Sequence, residues 1–370
     1  MPTATPAQER PVRIGLIDGV TAFVFSAATT ATIIDERGQE LGTVRTREAW
    51  QARRSGKRII LTAGDQTLLA NGPVRILPAY QSGSPPMVYV GKRWYRGILE
   101  IRDGLIAINE LPMEDYLYGV VPCEMPHTWP LEALKAQAVA ARTYTVAKLG
   151  EMAARGYDLK PTTDHQVYGG AARETPESNL AVDATRGEVV TYNGRPIPAY
   201  YCSAAGGYTD GADTVWGGDP VPYLQAVPDF DQAAPSYLWQ HTISAVALRS
   251  DLERHGISIG DLTAIEPLLR GYSGRVRTLA IRGSQGDKVL SGERFRYITG
   301  LKSSLFNVAP ELDEHGRTTG FTFAGRGHGH GVGLSQWGSR GLGQMGYSYV
   351  QILSHYYPHS QLTIRQAALP

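Results

Sequence analysis

A carboxylate at Glu124 has the neighbours that acid–base chemistry requires. It lies between Pro122 and Pro126 in the segment VVPCEMPHTWP, and prolines on both sides fix φ and stiffen the backbone. Apolar neighbours, among them Val121 and Met125, are expected to desolvate the carboxyl group and to raise its pKa. A raised pKa is what a general acid needs near neutral pH. The alternative is a carboxylate that caps the following helix or pairs with a lysine.

A second charged residue, Arg142, lies inside the apolar stretch 131–149. Its neighbours three and four positions away along a helix are small or apolar: Ala138, Val139, Thr145 and Val146. A guanidinium group on so apolar a surface requires an anionic partner, because burying it unpaired is costly. The partner could be a structural Asp or Glu, the substrate or the catalytic carboxylate, and the local sequence favours the structural one.

A glycine-rich run, RGHGHGVGLSQWG, occupies residues 326–338. Alternating glycines let the backbone approach a ligand closely. On an extended strand His328 and His330 would point to the same face, where they could contact sugar hydroxyls or assist proton transfer. Two local histidines are too few to make a metal site by themselves, and we expect neither a metal nor a cofactor. Ser335 and Gln336 add a hydroxyl and an amide to the same run, which makes a plain hairpin with exposed histidines the weaker interpretation.

Other polar and aromatic residues between these segments could complete a carbohydrate cleft. Aromatic rings beside amide and hydroxyl groups are typical of such clefts, and equally of protein interiors. The residues are Gln166, Tyr168, Ser203, Gly206, Gly207, Trp216 and Tyr223. We expect one cleft to be lined by Glu124, Arg142, Gln166, Tyr168, Ser203, Tyr223, His328, His330 and Gln336.

The elements that must position these residues are mainly strands. Short apolar runs separated by turns predict a β-rich module over residues 11–90, after a disordered tail at 1–10. Residues 131–149 lack Gly and Pro and are apolar on all sides, which predicts a central buried helix. Further predictions are a hairpin at Asn193-Gly194 and helices over Ser244–His255 and Ser348–Tyr357. The fold class is therefore α+β with mainly antiparallel strands.

Composition limits the class of protein. Of the 370 residues 42% are hydrophobic and 19% charged, which is enough apolar material for a buried core. The net charge is +1 and no basic block stands out, so nucleic acid is not expected as a partner. No apolar run reaches 18 residues, so we expect no transmembrane helix. The first ten residues lack the apolar core of a signal peptide, and either the signal has been removed or the chain is not exported.

Several segments, in this order along the chain, resemble the SpoIID/LytB family of sporulation proteins and amidase enhancers. They cover most of residues 91–357, with a variable insertion around 231–270, so residues 91–370 are interpreted as the catalytic domain. The matching segments are NELPMEDYLYGVVPCEMPHTWPLEALKAQAVAARTYTVAK, HQVYGG, ATRGEVVTYNGRPIPAYYCSAAGGYT, PVPYLQAV, SGERFRYITGLKSSLF and GRGHGHGVGLSQWG.

The resemblance implies a lytic transglycosylase of the cell envelope that cleaves the MurNAc–GlcNAc bond of peptidoglycan strands, preferably strands stripped of stem peptides. It implies Glu124 as the single general acid/base, with Arg142 and Tyr223 at positions similar to the family's active site. Such an enzyme needs no water, because the MurNAc C6 hydroxyl closes a 1,6-anhydro ring, whereas ordinary glycosidases use two carboxyl groups. A cell-wall amidase is a second expected partner.

Two departures from the family pattern qualify these implications. Some relatives carry a Cys/His metal cluster before the Q-x-Y motif, but this chain has Lys160 and Asp164 where ligands would be expected, so we predict no structural zinc. Relatives often carry a lysine two residues after the tyrosine of PYL, where this chain has Gln225.

Three other interpretations remain open at this point. The chain could be a wall-binding amidase enhancer without catalytic activity. It could be a thiol hydrolase that uses Cys123 or Cys202 with His330, although neither cysteine lies in a recognisable nucleophile motif. It could also be a metalloenzyme built on the two histidines. The two cysteines are too few for a disulfide framework, and whether they are free or paired stays open.

Overall fold

The computed structural model describes residues 10–364. Most of the tail predicted for residues 1–10 therefore lies outside the described residues. Within them, helices combine with mainly antiparallel sheets, which confirms the predicted α+β fold class. No helix between residues 10 and 364 is both long enough and apolar enough to cross a membrane.

Strands come first along the chain, followed by the helices that carry the predicted acid. The strands are β1 (Val12–Ile17), β2 (Ala22–Ala27), β3 (Ala31–Asp35), β4 (Glu40–Val44), β5 (Trp50–Ser55), β6 (Arg58–Ala63), β7 (Gln66–Ala70), β8 (Val74–Pro78), β9 (Met87–Val90), β10 (Arg93–Arg96), β11 (Ile98–Arg102) and β12 (Ile106–Leu111). The helices are α1 (Met113–Glu124), α2 (Leu131–Lys148) and α3 (Pro176–Ala184).

The rest of the chain alternates between short strands and short helices. The strands are β13 (Glu188–Tyr192), β14 (Arg195–Pro196), β15 (Tyr201–Cys202), β16 (Trp239–Ser244), β17 (Leu262–Arg270), β18 (Val276–Gly283), β19 (Lys288–Ser291), β20 (Phe306–Leu312), β21 (Thr318–Gly325), β22 (Leu334–Ser335) and β23 (Gln361–Ile364). The helices are α4 (Ala212–Trp216), α5 (Ala245–Arg254), α6 (Gly292–Thr299), α7 (Gln336–Gln344) and α8 (Tyr349–Tyr356).

The chain divides into two compact units. The first unit comprises residues 10–129, 137–189 and 363–364, and the second comprises residues 130–136 and 190–362. The boundary predicted near residue 90 falls in the hairpin between β9 and β10. The division into a module of residues 11–90 and a catalytic domain of residues 91–370 stays a prediction.

Two six-stranded sheets form the β-rich part of the first unit. Their strand orders are β1-β12-β11-β8-β3-β4 and β10-β9-β2-β5-β6-β7. Buried residues alternate with more exposed ones along β6 and β8, so one face of each strand is covered. β12 leads through Pro112 directly into α1, which ties the helix that carries Glu124 to a sheet.

The predicted buried helix is α2. It ends at Lys148, close to the predicted end, and Gly150 follows with a φ of +83°. Every residue from 136 to 145 is buried, Arg142 among them. Alanines make up much of this stretch, and their small side chains let neighbouring elements pack close to the helix on all sides.

Local signals in the second unit formed as predicted. Asn193 (φ 50°) and Gly194 (φ 73°) make the turn between β13 and β14, where Tyr192 pairs with Arg195. The Ser244 side chain caps α5, and Ser348 forms a capping box with Gln351 at the start of α8.

The second unit also holds two three-stranded sheets, β16-β21-β20 and β17-β18-β19. Apolar side chains from these sheets and from α5 and α6 form one core, which includes Leu248, Leu252, Phe295, Phe306, Phe321 and Phe323. The segment predicted as a variable insertion, residues 231–270, supplies β16, α5 and β17 to this core.

Candidate functional site

Glu124 is the last residue of α1, and its prolines explain why the helix ends there. Pro122 lies inside the last turn, and Met125 leaves the helix with extended φ and ψ of −128° and 138°. The Glu124 side chain is half-buried, and its Oε1 accepts a hydrogen bond of 2.9 Å from the backbone N–H of Val167. The predicted acid thus lies at a rigid helix end with one carboxylate oxygen fixed by the backbone.

The loop that supplies this N–H is anchored from both sides. Gln166 is buried, and its Nε2 donates to Thr145 Oγ1 (2.9 Å) and to the Tyr116 hydroxyl (3.3 Å). Tyr168 is also buried, and its hydroxyl donates to Asn109 Oδ1 at 3.0 Å. Gln166 and Tyr168 therefore point into the first unit rather than toward solvent, and they hold the peptide group at position 167 against Glu124.

Tyr168 also contacts α1 directly. Its ring centroid lies 4.9 Å from that of Tyr116 and 5.4 Å from that of Tyr95. A Cβ at Gly119 would lie 2.5 Å from the Tyr168 ring, so α1 needs a glycine at this position for the ring to fit. The close fit fixes the Q-x-Y loop against the helix that carries Glu124.

Arg142 has the structural partner that the local sequence favours. Its Nε and Nη2 donate to the two carboxylate oxygens of Glu114 at 3.0 and 2.6 Å, and its side chain is 2% exposed. Nη1 and Nη2 also donate to the carbonyl oxygens of Glu188 and Val182, both at 3.2 Å. The guanidinium group is thereby bound within the first unit, in a bidentate pair that links α1 to α2.

Both ring nitrogens of His330 bind the backbone. Nε2 lies 2.9 Å from the carbonyl oxygen of Tyr201, and Nδ1 accepts from the N–H of Val332 at 3.0 Å. Burial, and next the positive charge of Arg296, lower the pKa of His330 to about 3, so the ring is neutral with its proton on Nε2. A neutral ring with both nitrogens occupied cannot transfer a proton or bind a metal without rearrangement.

His328 differs from His330 because it is exposed. It forms an isolated antiparallel bridge with Ala204. The His328 nitrogen lies 2.8 Å from the Ala204 carbonyl oxygen, and the Ala204 nitrogen lies 3.0 Å from the His328 carbonyl oxygen. Partial burial and the charges of Arg296 and Lys302 lower the pKa of its imidazole. The two histidines are therefore different in environment, although the sequence pattern predicts the same face for both.

Ser335 and Gln336 begin α7. The Ser335 side chain caps the helix by accepting from the N–H of Gly338 at 3.1 Å, and Gln336 is buried in the first turn. Ser203 lies just after β15, half-buried, and its carbonyl oxygen accepts from the N–H of Trp337. These groups stabilise the connection between the glycine-rich run at residues 327–331 and α7.

Gly206 and Gly207 bind a carboxylate that the sequence analysis missed. Their N–H groups donate to the two oxygens of Asp231 at 2.6 and 3.0 Å, and the preceding N–H, from Ala205, donates to Asp229 at 3.1 Å. Burial, and next the neighbouring charge of Asp229, raise the pKa of Asp231 to about 6. The D-x-D spacing at 229–231 was visible in the sequence, but nothing local linked it to the glycines.

Trp216 and Tyr223 contribute to two aromatic groups of the second unit. The Trp216 ring, 47% exposed, lies 4.7 Å from that of Tyr200 and 5.2 Å from that of His330. The ring centroid of Tyr223 lies 5.2 Å from that of Tyr192, and Tyr223 lines a surface cavity of about 500 Å³. Aromatic rings beside polar backbone are suited to contact with sugar faces.

The predicted residues fall into two sets. Glu124, Gln166 and Tyr168 lie together in the first unit, where Arg142 also lies. The remaining predicted residues belong to the second unit: Ser203, Gly206, Gly207, Trp216, Tyr223, His328, His330, Ser335 and Gln336. The prediction that one cleft is lined by Glu124, Arg142, Gln166, Tyr168, Ser203, Tyr223, His328, His330 and Gln336 stays a prediction.

The positions associated with zinc and thiol chemistry hold other interactions. Lys160 and Asp164 form an exposed ion pair of 2.8 Å. Cys202 and Cys123 are free thiols, and burial raises the pKa of both, that of Cys202 to about 12. Gln225, at the position where relatives often carry lysine, is exposed.

Comparison with known proteins identifies relatives over most of the chain. The family model of the stage II sporulation protein matches residues 102–192, which include Glu124, Arg142, Gln166 and Tyr168, and a model of a domain of unknown function (DUF8618) matches residues 228–333. Stage II sporulation protein D of Bacillus subtilis is 33% identical over 280 residues, or 71% of this chain and 78% of that protein.

Two further relatives extend this comparison. An uncharacterized protein of Brachyspira hyodysenteriae is 35% identical over 272 residues, which cover 72% of this chain and 71% of that protein. The amidase enhancer of Bacillus subtilis is 32% identical over 297 residues, which cover 67% of this chain and 40% of that protein. The similarity to the enhancer therefore spans less than half of the enhancer's own length.

Proposed function

The chain belongs to the SpoIID family of stage II sporulation proteins, and we propose that it is a lytic transglycosylase that cleaves peptidoglycan strands in the cell envelope. The observation that carries the proposal is the setting of Glu124, whose carboxylate ends α1 and accepts the N–H of Val167. The loop that donates this N–H is fixed by two buried side chains, Gln166 and Tyr168. A carboxyl group held this firmly is suited to directed proton transfer.

The other acidic residues of α1 are engaged in ion pairs. Glu114 pairs with Arg142 at 2.6 Å, and Asp115 lies 3.4 Å from Arg96. This arrangement supports a reaction in which Glu124 works without a second carboxyl group from the same helix. Arg142 then acts as a positioning residue, because its donors bind Glu114 and backbone oxygens rather than facing a ligand.

A reaction that uses one carboxyl group proceeds in two proton transfers. Glu124 first protonates the glycosidic oxygen as the bond from MurNAc C1 to that oxygen breaks and an oxocarbenium-like centre develops at C1. The GlcNAc leaves with a free 4-hydroxyl. The C6 hydroxyl oxygen of MurNAc then bonds to C1, and its proton returns to the Glu124 carboxylate. The products are a 1,6-anhydroMurNAc end and the original state of the enzyme, without water, metal or cofactor.

Changing Glu124 to Gln tests this mechanism, because it keeps the shape of the side chain and removes the titratable proton. Turnover on glycan strands without stem peptides should fall by at least roughly 10² to 10⁴. Turnover is measured as the release of anhydroMurNAc ends by mass spectrometry. The matched control is Glu177→Gln, which changes a half-exposed carboxylate of α3. A Glu124→Gln protein that melts earlier but still releases anhydro ends at the wild-type rate would contradict the mechanism.

The amidase enhancer among the relatives favours a second candidate, a wall-binding protein that stimulates a cell-wall amidase. In that case Glu124→Gln would leave stimulation of the amidase unchanged, and the wild-type chain alone would release no anhydro ends. Measuring amidase rate and anhydro ends on the same samples separates the two candidates.

A further inference from the structure

A cavity of about 1040 Å³ in the second unit lies mostly among residues to which the sequence analysis assigned no role. It opens at one end of the sheet β16-β21-β20, where Gly325 pairs with both Trp239 and Phe306. A Cβ at position 325 would lie 2.2 Å from the Trp239 ring, so glycine lets the indole lie across the strand. Three strands paired in this register therefore form one wall of this cavity.

Arg270, at the end of β17, lines the cavity with its charge unneutralised by any acidic side chain among residues 10–364. Its Nη1 donates to the carbonyl oxygens of Gly274 (2.7 Å) and Phe306 (3.0 Å), and its Nη2 to Asn307 Oδ1 (3.1 Å). These neutral acceptors fix the direction of the guanidinium group and leave its positive charge available to a ligand.

Arg326, just after β21, is the second cation of the cavity. It is exposed, and its guanidinium carbon lies 5.9 Å from the centroid of the Tyr237 ring. It too forms no ion pair within the described part of the chain. Several other arginines of the second unit have acidic partners: Arg249 with Asp261, Arg254 with Asp251, Arg282 with Glu266 and Asp287, Arg296 with Glu293, and Arg317 with Asp313.

One carboxylate, Asp229, also lines the cavity, but the protein itself uses its oxygens. Oδ1 accepts from the Tyr356 hydroxyl (2.6 Å) and from the N–H of Phe230 (2.9 Å), and Oδ2 accepts from the N–H of Ala205 (3.1 Å). The charges that the cavity offers to a ligand are therefore the two arginines.

Exposed aromatic and aliphatic groups lie around the cavity. Tyr208 is 42% exposed and Leu238 is 65% exposed, and both line it. Tyr272, next to the lining residue Ser273, contacts Tyr208 with ring centroids 5.9 Å apart. Tyrosine rings present flat apolar faces with a polar edge, a surface that suits the C–H face and the hydroxyls of a pyranose ring.

We propose that this cavity is a binding subsite for a carboxylate-bearing saccharide. Arg270 and Arg326 bind the carboxylate, while Tyr208 and Tyr237 contact the sugar ring. The identity of that sugar rests on the proposed function, under which it is N-acetylmuramic acid. Its lactyl carboxylate is free after the stem peptide has been removed, whereas in an unprocessed strand the same carbon is an uncharged amide. The subsite would therefore select processed strands by charge.

Binding to matched glycans tests the subsite. The probes are glycan strands without stem peptides and the same strands with their lactyl carboxylates converted to primary amides. The protein is the full chain carrying Glu124→Gln, and the measured quantity is the ratio of the two dissociation constants. We expect the carboxylate form to bind about tenfold or more tightly, as expected for charge-assisted hydrogen bonds.

Removing both arginines should abolish that preference. Arg270→Gln with Arg326→Gln should bring the ratio close to one and leave the binding of amidated strands unchanged. Arg326→Lys should keep part of the preference, and Arg294→Gln, at an exposed arginine in the first turn of α6, should keep all of it.

The outcome that overturns the subsite is a double variant that keeps the preference, or one that binds both probes equally weakly while melting like its parent. Should Glu124→Gln still cleave the strands, the transglycosylase mechanism fails, but the ratio of the two affinities still decides whether the cavity recognises the carboxylate.

Discussion

The guanidinium group of Arg142 makes four hydrogen bonds inside the first unit, two to Glu114 and one each to the carbonyl oxygens of Val182 and Glu188. The carboxylate of Glu114 also accepts the N–H of Gly187 at 3.2 Å. Removing one member of a buried pair with this many partners lowers the stability of the protein, because the remaining charge is then buried without compensation.

Arg142→Met should therefore destabilise the protein by about 3–5 kcal/mol, whereas Arg142→Met combined with Glu114→Gln should recover part of the loss. Chemical unfolding of both single variants and the double variant measures the coupling. A direct catalytic role would give the opposite result: an Arg142→Met protein as stable as the wild type that has lost its turnover.

The carboxyl group of Asp231 gives the stability of the protein a pH dependence with a defined sign. Its pKa is raised from 3.8 in the unfolded chain to about 6 in the folded one, so the folded chain holds this proton more tightly. The contribution to stability is complete below about 3.8 and is lost as pH rises through about 6. The melting temperature of the wild type minus that of Asp231→Asn should therefore be highest near pH 4 and lowest near pH 7.5. A difference between the two proteins that does not change with pH would contradict this assignment.

At the scale of elements, α1 and the loop 166–168 act together. The helix presents Glu124 at its end, and the absence of a side chain at Gly119 admits the Tyr168 ring that anchors the loop. The carbonyl oxygen of Gly119 also accepts the N–H of Gly169 at 3.0 Å. The position of the Val167 N–H thus depends on the packing of a helix against a loop.

Gly119→Ala should disturb this packing, because the new Cβ would lie 2.5 Å from the Tyr168 ring. We expect a loss of about 1–3 kcal/mol of stability, as for other overpacked cores, and a lower turnover per folded molecule. Thermal melting and the assay for anhydroMurNAc ends provide the two measurements. Were the variant to melt earlier and keep full turnover, the loop would stabilise the fold without positioning Glu124.

For the whole molecule, the proposed chemistry depends on one carboxyl group and on no metal or thiolate. Both nitrogens of His330 bind backbone groups, and the pKa of the Cys202 thiol is raised to about 12, so very little thiolate exists at neutral pH. Turnover should therefore survive incubation with a chelator and with an alkylating reagent. Loss of activity in the chelator would revive the metal interpretation, and loss after alkylation would revive the thiol interpretation.

The sequence by itself determined the features that depend on neighbouring residues. The caps at Ser244 and Ser348, the Asn193-Gly194 turn and the buried helix α2 each follow from hydrogen bonds or packing patterns within a few positions of the chain. The stiff setting of Glu124 belongs to the same group, because the prolines that end α1 lie two residues away on either side.

Tertiary structure alone decided which groups meet across the chain. The partner of Arg142 lies 28 positions away, and the carboxylate that binds the N–H groups of Gly206 and Gly207 lies 25 and 24 positions away. The carbonyl oxygen that lies against Nε2 of His330 is 129 positions away. No local pattern specifies such pairs, because the free energy that selects them comes from packing distant segments and satisfying every buried polar group at once. For that reason the sequence offers candidate residues for the site, whereas their partners, their charge states and the arginine-lined cavity follow only from the tertiary structure.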